Sequence, residues 1–272
     1  MTDYAAGYMA YDLDIDGRTL RAYRTGGDKP QVVLVHGFTD SAISMKALID
    51  MLQDDYDVIA YDSRGHGHSA RIDQPYSVLD LADDLAGIID ALELDKPIIV
   101  GHSMGAATVL VAGARHPNHM RAIIAEDPPM APVNKTHRID EWKAGHIEMT
   151  QKPLDEVIRL YMEQFYPKWG ELDIRTRAEA RYQLDVAVFD QMELHKTPDW
   201  HEWAGDIKCE GLILAGNPEL GGIAIWPLAE EFVTLWKGGK VIKFPGAGHQ
   251  IRSESPDAYA EAILPFLAEH SR

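Results

Sequence analysis

Short unbroken apolar runs alternate with stretches in which apolar residues return every three or four positions. The runs at residues 31–35, 57–61, 96–100 and 121–125 are too short for helices and carry no polar alternation. Such runs suit strands buried on both faces of a parallel sheet. Ahead of them, residues 9–15 and 20–24 flank Asp16-Gly17, a hairpin signal. Between the runs, Leu81, Leu85, Ile88, Ile89 and Leu92 mark one face of a helix, with Asp83, Asp84 and Asp90 opposite. Residues 103–115, rich in Ala and Val, read as a buried helix. Strand following helix in this way predicts an α/β fold with helices on both faces of the sheet.

The rhythm stops at Met130. From there to about Asp206 no strand-like run occurs, and Leu154, Val157, Ile158, Tyr161, Met162 and Phe165 outline one amphipathic helix. Four of the six tryptophans (Trp142, Trp169, Trp200, Trp203) fall in this stretch. The alternation resumes at residues 211–215, continues through a helix near 228–236 and a run at 240–244, and ends in a helix over 256–270. The expected organisation is one core, residues 1–129 and 207–272, interrupted by a helical cap at 130–206.

Composition narrows the chemistry. The 272 residues are 46% hydrophobic and 25% charged, ample for a buried core. A formal charge of −17 repels phosphate backbones and anionic membranes, so neither nucleic acid nor membrane is expected as a partner. One cysteine, Cys209, allows no intrachain disulfide, and no Cys/His cluster has zinc spacing. The first residues lack a basic segment followed by an apolar run, and no apolar stretch is long enough to span a bilayer. A soluble cytoplasmic protein is expected, as a monomer or homodimer.

The strongest local signal is Gly101-His102-Ser103-Met104-Gly105, between a strand-like run and a helix pattern. A serine on a tight strand-to-helix turn projects its hydroxyl from the sheet edge, and small neighbours leave room for the strained backbone. It needs a base to take its proton. Of twelve histidines, His249 lies in Gly246-Ala-Gly-His249 after a late strand, where a loop returns to the same edge. The base needs a carboxylate partner. Two stand at suitable strand ends: Asp127, in Glu126-Asp127-Pro-Pro129, and Glu219, in Gly216-Asn-Pro-Glu219. His36-Gly37-Phe38 follows a strand, so the backbone N–H groups of Phe38 and Met104 are the expected oxyanion donors. His36 is expected to brace its loop, and the segment Tyr61-Asp62-Ser-Arg64-Gly-His66-Gly-His68-Ser69 to form a rigid loop held by Asp62 and Arg64.

Together, His36-Gly-Phe38, Asp62-Ser-Arg-Gly-His-Gly-His-Ser69, Gly101-His-Ser-Met-Gly105 and Gly246-Ala-Gly-His249 resemble the α/β-hydrolase superfamily in order and spacing, over nearly the whole chain. The resemblance implies a mostly parallel eight-stranded sheet with a helical cap after the sixth strand, and cofactor-free, metal-free hydrolysis through an acyl-enzyme. It does not name a substrate. The family's usual acid is an Asp in a Gly-x-x-Asp turn after the seventh strand; here that position is Glu219. Some relatives take the acid from the end of the sixth strand, where Asp127 stands, and Asp127 is preferred.

The expected reaction is hydrolysis of a small to medium, uncharged, apolar ester or lactone. Phe38, Trp142 and Phe165 are the candidate lining residues, with Met149, Tyr161 and Tyr166 nearby in the cap. The same triad also serves carbon–carbon bond hydrolases, for which the cap offers Lys135, Arg138 and Lys143, and cofactor-free perhydrolases. A non-enzymatic alternative is a small-molecule receptor on the same fold.

Overall fold

A computed structural model describes residues 4–130, 137–193, 196 and 198–271. Eight strands form one sheet: β1 (Met9–Ile15), β2 (Arg18–Arg24), β3 (Gln31–Val35), β4 (Asp57–Tyr61), β5 (Ile98–His102), β6 (Ala122–Glu126), β7 (Glu210–Gly216) and β8 (Gly239–Phe244). Their order is β1-β2-β4-β3-β5-β6-β7-β8. The β1–β2 hairpin turns at Asp16-Gly17, both at positive φ, and β2 joins β4 antiparallel. Every later pairing is parallel. This is the α/β-hydrolase fold, a mostly parallel eight-stranded sheet flanked by helices.

Parallel strands need crossovers, and helices supply them. In chain order they are α1 (Lys46–Leu52), α2 (Val78–Ala91), α3 (Met104–Arg115), α4 (His137–Thr150), α5 (Leu154–Leu160), α6 (Glu171–Gln183), α7 (Val188–Gln191), α8 (Trp226–Leu235), α9 (Ile251–Glu254) and α10 (Pro256–His270). Successive strand residues point to opposite faces. Val33, Val35, Ile59, Ile99, Ile123 and Ile213 therefore pack against α2, α3 and α8. Their neighbours Val32, Leu34, Val58, Val100, Ile124 and Leu212 pack against α1 and α10. That double burial is why the runs are unbroken. It also puts the loops that follow β3 to β8 at one edge, where the chemistry-bearing segments meet.

Among the described residues between β6 and β7 there is no strand, only an isolated bridge from Met192 to Tyr76. One difference from the sequence reading lies in α5. The pattern predicts one continuous helix through Phe165, but α5 ends at Leu160 and a π-turn spans Tyr161–Phe165, closed by Tyr166 N–H donating to Tyr161 O at 2.8 Å. The extra residue rotates Phe165 off the apolar stripe, and it is 53% exposed. A second difference concerns Trp200 and Trp203. They pack on Phe232 of α8, as part of the core beside the sheet. No helix of the described residues is long and apolar enough to cross a membrane.

Candidate active site

Ser103 sits between β5 and α3 at φ 54°, ψ −112°, a backbone conformation that L side chains rarely adopt. The glycines around it are required by space. A Cβ on Gly101 would lie 2.3 Å from Gly105 O, and one on Gly105 would lie 2.2 Å from Val35 O. The turn can be this tight only without those carbons. Met104 opens α3, so its N–H has no partner within the helix.

His249 reaches Ser103 from the loop after β8. Its Nε2 is 3.0 Å from Ser103 Oγ, and its Nδ1 is 2.6 Å from Asp127 Oδ2. With Nδ1–H donating to the carboxylate, Nε2 is free to accept the serine proton. Asp127 is fully buried at positive φ just beyond β6. Its Oδ1 accepts from the N–H groups of Gly216 (3.0 Å) and Ala224 (3.1 Å), and its Oδ2 from Ile223 (2.8 Å). Glu219 occupies the exposed short turn Pro218–Leu220, on the outside of the loop whose backbone wraps Asp127. Of the two candidate acids, the structure brings Asp127 to His249.

The His249 loop is held from several sides. Glu254 accepts from Gly248 N–H (2.6 Å) and Gln250 N–H (3.0 Å). His102 is fully buried and kept neutral by burial and by Arg252. Its Nε2–H donates to His249 O at 3.0 Å. Glu126 turns away from His249 and pairs with Arg252 at 2.9 Å.

The loop after β3 meets the same point. A Cβ on Gly37 would lie 2.8 Å from His102 Nδ1. His36 donates from Nδ1 to Gly37 O (2.7 Å) and accepts at Nε2 from Ser63 N–H (3.0 Å). Burial, then the neighbouring His66, pushes its pKa down to about 3, so it is a neutral brace. His66 Nε2 lies 2.7 Å from Phe38 O, which fixes the orientation of that residue's backbone. The segment 61–69 is a rigid loop: Asp62 accepts from Ala42 and His68 N–H groups, and Arg64 pairs with Asp84 at 2.7 Å.

The candidate lining residues divide. The Phe38 ring meets Phe189 edge-on at 5.2 Å and Trp142 at 6.2 Å. Phe165 instead touches Tyr161 and Tyr166. Of the candidate cap cations, Lys143 is paired with Asp190 at 2.6 Å, while Lys135 and the Arg138 side chain lie outside the described residues. Sequence reasoning missed a buried pair beside the site. Arg177 of α6 lies 2.9 Å from Asp40 Oδ1, above Trp169 and Tyr166. Burial alone would raise the Asp40 pKa, but the Arg177 guanidinium holds it well below the usual carboxylate range. The partners are far apart in sequence, so no local pattern announces them.

A buried carboxylate, an imidazole and a serine on a strained turn thus come together at the carboxyl edge of a parallel sheet. The comparisons with known proteins agree. Residues 30–148 match the family model of the alpha/beta hydrolase fold. The chain is 29% identical to 2-(acetamidomethylene)succinate hydrolase of Mesorhizobium japonicum over 96% of its own length and 95% of that protein's. It is 25% identical to esterase YbfF of Escherichia coli, over 87% and 92%. The crystal structure of E-2-(acetamidomethylene)succinate hydrolase superposes with a TM-score of 0.81 at 27% identity, covering 96% of this chain and 99% of that one. The chain is similar along nearly its whole length to hydrolases of the α/β-hydrolase superfamily.

Proposed function

We propose that the protein is a serine hydrolase that cleaves a carboxylic ester or lactone through an acyl-enzyme on Ser103. The observation that carries this reading is the unbroken line Ser103 Oγ, His249, Asp127, at 3.0 and 2.6 Å. As Ser103 Oγ bonds to the substrate carbonyl carbon, its proton passes to His249 Nε2. Asp127 stabilises the imidazolium and keeps it oriented. The carbonyl oxygen takes the negative charge, facing the N–H groups of Phe38 and Met104. Collapse breaks the bond to the leaving alcohol, which receives the proton from His249. Water then gives its proton to His249, attacks the acyl carbon, and releases the acid and free Ser103.

Helices α4 to α7 serve as the lid over this centre, and Phe38, Phe189 and Trp142 form an apolar wall beside the scissile bond. The relative from Mesorhizobium japonicum adds acetamido compounds to the panel of acyl substrates worth assaying. Lys143 is already neutralised by Asp190, so it offers a carbon–carbon hydrolase no free cation for a carboxylate substrate.

The test is labelling by a fluorophosphonate probe, with the modified peptide identified by mass spectrometry. Label on Ser103 is expected, lost in His249→Ala, together with ester turnover that disappears in Ser103→Ala. An unlabelled folded protein without ester turnover would leave the receptor reading, whereas full turnover in Ser103→Ala would remove Ser103 as the nucleophile.

A further inference from the structure

The helices between β6 and β7 carry a cation, Arg181, that pairs with no acid among the described residues. Arg181 stands one turn beyond Arg177 on α6. Arg177 has Asp40, and with its amide oxygen turned inward Gln250 also accepts from Arg177 Nη1 at 2.9 Å. Arg181 has neither: its Nε is sealed from solvent with no hydrogen-bond partner among the described residues. Its guanidinium lies over the Tyr161 ring, 5.7 Å from the centroid. Outside the described residues only Asp3 bears a carboxylate side chain, so the 131–136 segment offers Arg181 no acid. The rest of the half-buried guanidinium is left open to a ligand, and in a chain with 43 acidic residues a permanent partner would be easy to supply.

Two neighbours share the condition. The Tyr161 hydroxyl and the His146 Nδ1 are also buried without a hydrogen-bond partner among the described residues. Burial, then the nearby Arg181 charge, pushes the His146 pKa down to about 4, so its imidazole is neutral. Burial holds the Tyr161 phenol protonated, with its pKa raised to about 12. A guanidinium and a hydroxyl thus stand ready to donate, and a neutral imidazole with its proton on Nδ1 would add a third donor. The cluster adjoins the acyl site. His146 lies 5.3 Å from the Phe189 ring, and Phe189 lies 5.2 Å from the ring of Phe38, the oxyanion residue.

We propose that Arg181, Tyr161 and His146 form a carboxylate subsite in the lid, so that the substrate is an acyl compound bearing a second carboxylate away from the scissile carbonyl. The inference rests on the serine-hydrolase reading for its scissile bond. It replaces the sequence expectation of an uncharged apolar ester. That expectation followed the surface charge, which governs encounter, whereas a half-buried guanidinium beside the acyl site governs what stays bound.

The test compares mono-para-nitrophenyl glutarate with its neutral counterpart, para-nitrophenyl pentanoate. The intact protein is expected to prefer the half-ester by about tenfold or more in kcat/KM, and Arg181→Gln to erase that preference through KM. Calorimetry on the Ser103→Ala protein reads the subsite without chemistry. Glutarate binding should weaken about tenfold or more when Arg181→Gln is added, and persist when Lys143→Ala is added instead. The melting temperature of Arg181→Gln should fall by no more than the loss of its stacking on Tyr161 requires, because no ion pair or hydrogen bond is orphaned among the described residues; a purely structural arginine would lower it further. An equal preference in Arg181→Gln, or glutarate binding indifferent to it, overturns the subsite. Absent turnover of both esters together with absent labelling of Ser103 overturns the serine mechanism instead, and the calorimetry still decides the subsite.

Discussion

Asp127 and Glu219 occupy comparable places in the sequence, each just past a strand, and only the loop 217–224 separates them. Its N–H groups close on the Asp127 carboxylate and leave Glu219 outside. Asp127→Asn is therefore expected to lower kcat on the order of 10⁴-fold, because an amide no longer fixes the His249 tautomer. Glu219→Gln should change kcat by less than about twofold, since an exposed group that touches none of the reacting atoms contributes little. Measuring both at one pH decides the matter, and comparable losses would remove Asp127 from its assigned role. Ser103 and His249 were legible from sequence because their glycine-rich turns are local. The acid was not legible to the same degree, because its assignment depends on how a loop from another strand folds over it.

Strand positions were read within two or three residues for a physical reason: helices cover both faces of the sheet, and only uninterrupted apolar runs survive there. The helices between β6 and β7 were harder. The π-turn at Tyr161–Phe165 breaks the helical period, so Phe165 points outward against expectation. The docking of α6 was invisible, since it depends on the Arg177–Asp40 pair across the whole fold. Arg177→Gln leaves the Asp40 carboxylate buried and uncompensated and is expected to destabilise by about 3–5 kcal/mol. Adding Asp40→Asn removes the stranded charge and should recover most of that loss. Denaturant midpoints of the two single variants and the double variant test the coupling. Additive losses would mean that the pair is not what holds α6 to the loop after β3.

At the scale of the whole molecule, surface and interior follow different electrostatic rules. The net charge of −17 belongs mostly to solvated carboxylates, whereas the edge of the sheet around Ser103 buries neutral imidazoles. His36 has its pKa driven to about 3, first by burial and then by His66, and His66 and His102 are lowered as well, foremost by burial. In the unfolded chain each returns to about 6.5. Below that pH the unfolded chain takes up protons that the native protein refuses, so stability is fully present above about pH 6.5 and falls as the solution is acidified. Each such group contributes a slope of up to about 1.4 kcal/mol per pH unit until its native pKa is reached. Asp62 and Asp84, lifted by burial, act in the opposite sense, because the native protein takes up their protons before the unfolded chain does. With three imidazoles acting in the same sense, urea midpoints should drop as the pH falls from about 6.5 to about 5. His36→Gln keeps a donor and an acceptor for Gly37 O and Ser63 N–H, and removes one titrating group. Its midpoint should be lower than that of the native protein at neutral pH yet fall less steeply with acid. A flat native profile across that window would mean that these imidazoles are hydrated and protonate in place, and the neutral brace assigned to His36 would have to be abandoned.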